Sequence, residues 1–204
     1  VDLDPAERGR VVGDLALCIE QYGPHAEVLA VVAELATEEL LAVADVEALH
    51  AIALALCFRD LREVDPVVRA AMERFGETRP EPHHLAALHA AYSGEGERAL
   101  AAVAVGRSRT DAGRWMQGHL AHAEGLGWFA SHPVDMQRGL AAFERAIGLF
   151  AEEGDTVHVD NVRFSMASCV ALQGMRHPRA AEWAHECVRY AVSRHRVVEQ
   201  ALSE

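Results

Sequence analysis

Lysine is absent from this chain, and all nineteen of its basic residues are arginine. A G-x-x-x-x-G-K-[ST] phosphate loop is thereby excluded, and the arginine-only usage reads as the codon bias of a GC-rich genome. Aromatic residues amount to only 6%. Alanine, leucine, valine, glutamate and arginine dominate instead, so strand-forming types are scarce and an all-α fold follows. Positive charge is also in short supply, with 31 acidic side chains giving a formal net charge of −12. Such a balance repels nucleic acid and anionic membrane surfaces, so neither is expected as a direct partner. No apolar run approaches the ~20 residues that cross a bilayer, and no signal peptide opens the chain, which reads as cytoplasmic.

Catalytic signatures are missing too. Neither G-x-S-x-G nor H-E-x-x-H occurs, and Gly94-x-Gly96 falls between helical patterns instead of after a strand, as a turn would. The four cysteines, Cys18, Cys57, Cys169 and Cys187, show no C-x-x-C spacing and each sits in a predicted helix, as small core residues do. Cys169 and Cys187 fall on paired helices and are the one pair that a bridge would suit. Among twelve histidines the best cluster is His119-x-x-His122-x-Glu124, whose first two members share a helix face. A third ligand is not specified at a matching spacing, and His83, His84 and His89 fare no better. The adjacent carboxylates Glu38-Glu39 and Glu152-Glu153 point apart on a helix and make poor acid/base partners. No enzyme activity, cofactor or metal is therefore expected, and a histidine-based metal protein or all-α enzyme is kept only as a distant alternative.

What the chain does have is a repeated helix-turn-helix pattern from His83 to Ala191. Ala90, Ala130 and Ala171 occupy one column, and Ala99, Gly139 and Ala180 another, at a step of roughly 40 residues that lies within the range of helical repeats. Each copy continues at +4 and +7, giving Ala99, Val103 and Gly106, then Gly139, Phe143 and Ala146, then Ala180, Ala184 and Cys187. Small residues at such columns let helix axes approach to ~8 Å. A single hairpin leaves an apolar face uncovered, so recurrence at this period indicates stacked units.

Turn and cap signals place the elements. Asp4-Pro5 opens a first helix that ends near Gly23-Pro24, and a second runs from His25 to about Val43. Asp45 caps a third, apolar nearly all round and so central. Asp65-Pro66 repeats the cap-and-proline signal and opens a short helix closed by Gly76. The linker Glu77 to Pro82, with two prolines, marks a bend. The regular units then pair His83–Tyr92 with Glu97–Arg107, Gly113–Ala130 with Val134–Ala151, and Val157–Leu172 with Pro178–Ser193. The division expected is residues 1–77 as divergent N-terminal hairpins, 83–195 as three regular pairs, and 196–204 as a helical extension of one continuous stack.

At these columns the chain resembles a tetratricopeptide repeat. The second regular unit carries Leu126-Gly127, Ala130, Gly139, Phe143 and Ala146; the third carries Phe164, Ala167-Ser168, Ala171, Ala180, Ala184 and Cys187; the first carries Ala86-Ala87, Ala90, Gly94, Ala99, Val103 and Gly106. The period is longer than the roughly 34 residues common in the family, and the closing proline is missing. Together with Ala146 to Asp155, the pattern is similar to the sensor regions of large bacterial transcriptional activators of the maltose-activator type. The resemblance implies an antiparallel helix-hairpin solenoid of about five pairs. It also implies a concave face lined by His84, Leu88 and Tyr92, then Glu124, Trp128 and His132, then Val162, Ser165 and Cys169. The lysine-and-asparagine clamp by which some relatives hold a C-terminal carboxylate is absent. The function expected is a noncatalytic binding scaffold, the regulatory module of a larger signalling or transcription-regulatory protein. Its partner would be a peptide, a partner domain or a small effector. The starting residue, which is not methionine, and the helical pattern from Val197 to Leu202 agree with an excised segment. A free-standing adaptor that homodimerises through its end repeats is the alternative.

Overall fold

The computed structural model describes residues 4–22, 26–109, 112–173 and eight further positions between 179 and 192. The regular structure among those residues is helical, with no strand. The described helices are α1 (Pro5–Tyr22), α2 (Ala26–Leu35), α3 (Glu38–Leu41), α4 (Val46–Leu56), α5 (Leu61–Phe75), α6 (Glu81–Tyr92), α7 (Gly96–Ser108), α8 (Arg114–Ala130), α9 (Met136–Glu152) and α10 (Thr156–Leu172). None is long and apolar enough to cross a membrane. The second helix of the last expected pair, the extension 196–204 and Cys187 lie outside the described residues, apart from isolated helical positions such as the buried Trp183.

Local signals account for most boundaries. Asp45 caps α4 by accepting from the Ala48 N–H at 2.8 Å, and Asp135 and Asp155 cap α9 and α10 in the same way. The left-handed residues Gly94 and Gly154, with φ of 78° and 73°, turn α6 into α7 and α9 into α10; an added Cβ is disfavoured at such angles. The α8–α9 link contains a cis His132–Pro133 bond.

Two boundaries differ from the expectation. The helix expected from His25 to Val43 breaks at Ala36-Thr37, because Thr37 takes an extended conformation and its hydroxyl accepts from the Leu40 N–H. That restart turns Leu40 and Leu41 into the core, both at 3% exposure. The helix expected to open at Asp65-Pro66 starts one turn earlier. Asp60 caps it, accepting from the Arg62 N–H at 2.9 Å and also pairing with the Arg62 guanidinium. Pro66 consequently stands inside α5, where the buried Val64, Val67 and Ala71 carry one apolar stripe past it.

Packing follows glycine notches. On α8 and α9 a Cβ at Gly118 would meet Phe150, one at Gly125 would meet Phe143, and one at Gly139 would meet Phe129. As the α8 position rises the α9 position falls by the same amount, so the two helices are antiparallel and keyed by rings in notches. Gly106 against Leu120 and Gly127 against Ala99 repeat that relation between α7 and α8. By contrast Gly9 faces Ala44 and Gly13 faces Ala48, so α1 lies parallel to α4 at a constant register.

In the first two regular units the small-residue columns are buried at Ala90, Ala99, Val103, Gly106, Gly139, Phe143 and Ala146, and half-buried at Ala130. Ala171, at the end of α10, is exposed. Cys18 is exposed as well, against the expectation of a core cysteine. The buried residues form two clusters that meet inside α6, where Leu85 joins the N-terminal one and Ala87, Leu88 and Ala90 the C-terminal one. Leu54 of α4 packs on both. Of the two linker prolines, Pro80 is the N-cap of α6 and Pro82 stands in its first turn, so they open that helix.

Candidate functional site

Each of the helices α4, α6, α8 and α10 sends one buried histidine toward its neighbour. These are His50, His84, His119 and His158. Their ring centroids lie 5.0 Å apart for His50–His84, 4.8 Å for His84–His119 and 4.6 Å for His119–His158. His50 Nε2 and His84 Nδ1 share a hydrogen bond at 2.8 Å. Trp115 and Phe150 close the sides, their centroids 4.0 and 5.0 Å from His119. At the far end the Asp155 carboxylate accepts from Trp115 Nε1 at 3.0 Å and lies 2.6 Å from His158 Nδ1.

Burial favours the neutral form of the two central rings, His84 and His119. The pKa values of His84 and His119 fall well below the ordinary imidazole value, chiefly through desolvation, with the charges of neighbouring histidines adding. His84 Nε2 and His119 Nε2 are buried without a partner. Among the described residues no three donors are grouped to hold a metal ion. For Asp155, desolvation acts to raise the pKa, but the bonds and charge of His158 and the bond from Trp115 outweigh it and the carboxyl titrates below its usual range. Because Asp155 Oδ1 also caps α10 through the His158 N–H at 3.1 Å, Asp155→Asn is expected to weaken three bonds at once. A loss of about 2–3 kcal/mol in urea unfolding, with a change in Trp115 fluorescence, is the expected readout.

A second arrangement lies on the opposite side of α8. Glu124, its side chain 17% exposed, takes Arg107 of α7 and Arg145 of α9 on the same oxygen, Oε2. Its Oε1 stands 3.5 Å from Trp128 Nε1, and the Arg138 guanidinium lies 4.8 Å over the Trp128 ring. Arg107, Arg109 and Arg145 line a cleft of about 570 Å³ in which Glu124 is the one acidic lining residue among the described residues, with Gln117, Leu149 and Ala112 among the others. The Nε of Arg109 is buried and has no hydrogen-bond partner.

The nine residues expected along one concave face therefore separate. His84, Leu88 and Val162 are buried at 0%, 4% and 0% exposure, so they belong to the core and line no open groove. Tyr92 and His132 are exposed. Glu124 and Trp128 join the arginine cleft. Ser165 bonds His122 Nε2 at 2.9 Å between α10 and α8, and burial pushes the half-buried Cys169 thiol up to about 11. The cluster His119-x-x-His122-x-Glu124 points three ways, into the histidine row, toward Ser165 and toward the arginines. No protein-family model matches the chain, and neither the curated proteins nor the solved structures give a match.

Proposed function

We propose that the chain is a noncatalytic binding scaffold, a tetratricopeptide-like stack of helical hairpins that serves as the regulatory module of a larger signalling or transcription-regulatory protein. The observation that carries this reading is the like-on-like packing of first helices. Gly9 to Ala44 and Gly13 to Ala48 make the same step along the chain, and His50 to His84 and His84 to His119 repeat it almost unchanged. A translation that recurs between parallel helices is the geometry of stacked repeats, in which each hairpin covers its neighbour and the row exposes a continuous binding surface. Small-angle scattering tests the architecture: an open stack has a radius of gyration above the roughly 17 Å of a compact globule of this length. A value at or below that figure overturns the stack. An output domain encoded beside the segment supports the module reading, and a gene encoding this chain alone opposes it.

One observation favours the adaptor reading as a second choice. Phe164 and Leu172, two turns apart on α10, are 57% and 86% exposed. Exposed apolar side chains of this size seek cover, and a second copy supplies it by symmetry. Light scattering at twice the monomer mass, abolished by Phe164→Glu, supports the adaptor; a monomer at all concentrations removes it.

A further inference from the structure

The arginine cleft between α7, α8 and α9 carries an inference that rests on reading the chain as a binding scaffold. We propose that it is a binding site for a small phosphate monoester, gripped by Arg107, Arg109 and Arg145, with Glu124 as the resident counter-ion that the ligand's phosphate displaces. Three arginines face one carboxylate there, in a chain whose formal net charge is −12. Such a local inversion of charge draws in a compact anion, whereas the field of the whole chain repels a long polyanion such as nucleic acid.

The bonding is lopsided. Two guanidinium groups converge on Glu124 Oε2, and the Arg109 Nε–H, buried at the same cleft, meets no acceptor. A buried donor left unpaired costs stability, and an incoming oxyanion would satisfy it. Among the described lining residues one carboxylate faces three arginines, and that excess of positive charge suits a dianion. The arginine fork suits the tetrahedral oxygens of phosphate, with two parallel N–H bonds from each guanidinium. The other polar groups are already engaged: the Ser108 hydroxyl donates to the Val105 carbonyl at 2.7 Å, and the Gln117 amide donates to the Ala112 carbonyl at 2.9 Å. Recognition therefore rests on charge. At about 570 Å³ the cleft exceeds what a bare phosphate fills and falls within the range of small organic ligands. Leu149 and Ala112 offer an apolar wall for the body that carries the phosphate.

Titration calorimetry with phenyl phosphate, inorganic phosphate and phenol, at low ionic strength and on the full chain, tests the site. Phenyl phosphate is expected to bind at one equivalent, at least tenfold more tightly than inorganic phosphate, and phenol not at all. Glu124→Gln removes the competing carboxylate and is expected to tighten phenyl phosphate binding tenfold or more. Arg145→Gln is expected to weaken it at least tenfold. Arg109→Gln is expected to do the same with no loss of thermal stability, since its Nε makes no bond in the free protein, and it keeps the test decisive if Glu124→Gln perturbs the fold. Saturable binding by neither the parent nor Glu124→Gln overturns the site, as does equal affinity for phenyl phosphate and inorganic phosphate. Either result leaves the scaffold reading to stand or fall on its scattering radius.

Discussion

Acidification from pH 6.5 to 4.5 is expected to destabilise this protein steeply, by a sizeable part of a total that is typically ~5–15 kcal/mol. Burial holds the pKa values of His84 and His119 well below the ordinary value of 6.5, and that of His122 at about 4. In the unfolded chain all three titrate normally. Below pH 6.5 the unfolded state therefore binds up to three more protons than the folded one, and each contributes a slope of about 1.4 kcal/mol per pH unit. The sign follows: the stability is fully present above the unfolded value and is lost as pH falls toward the folded ones. Asp155, whose pKa is also depressed, adds its own loss at lower pH. Urea midpoints measured across pH 4.5–7.5 give the slope directly. His119→Phe isolates the cause, because His119 Nε2 has no partner to lose and the ring packs edge-on against Trp115 and Phe150. At pH 7 the change should cost no more than about 1.5 kcal/mol. At pH 5 it should recover stability relative to that baseline, because the unfolded parent gains a proton at His119 that the folded one does not. Equal slopes for the two proteins would remove the buried row as the origin of acid sensitivity.

The same row shows where reading the sequence stopped short. The turn from α6 into α7 was legible at Gly94, because turn chemistry is local, whereas the caps Asp135 and Asp155 and the left-handed Gly154 carry equally local signals that went unread. The N-terminal hairpins were harder, because two cap signals compete there. Asp60 wins over Asp65 by adding an ion pair with Arg62 to its backbone bond. The histidine row was written in the chain but at a different step. The alanine column follows the C-terminal ends of α6 and α8, and α8 is the longer helix, so Ala90 to Ala130 is a longer step than His84 to His119 across the same pair; Glu47-x-x-His50 recurs as Glu81-x-x-His84, and His84-Leu85-Ala86 as His119-Leu120-Ala121, at the shorter spacing. Arg79 confirms the first match in space by bonding Glu47 and Glu81 at 2.7 Å each. The arginine cleft had no comparable mark. Arg107 and Arg145 stand far apart in the chain on two different helices, where a charged residue reads as part of a solvated face until packing brings it to Glu124.

Glycine to alanine changes on adjoining helices should move stability in opposite directions. Gly148 on α9 is exposed, and a Cβ there meets nothing within 4 Å. Gly148→Ala should therefore stabilise by up to ~1 kcal/mol, the ordinary gain of replacing glycine inside a helix. At Gly125 the same methyl would stand 2.5 Å from Phe143 Cε1. Phe143 is fully buried and stacks on Phe129 at 5.9 Å between centroids, while Phe129 itself occupies the notch at Gly139. The ring has nowhere to retreat, so the intrinsic helix gain is overwhelmed and Gly125→Ala should destabilise by about 2–3 kcal/mol. Phe143→Ala alone leaves a cavity and should cost about 3–5 kcal/mol. With the ring gone the methyl at 125 no longer clashes and fills part of that space. Gly125→Ala combined with Phe143→Ala should thus be no less stable than Phe143→Ala, a coupling of about 2–3 kcal/mol between two residues on different helices. Additive losses in that cycle would mean that α8 and α9 are not keyed at this notch, and the antiparallel register drawn from Gly118, Gly125 and Gly139 would fall with it.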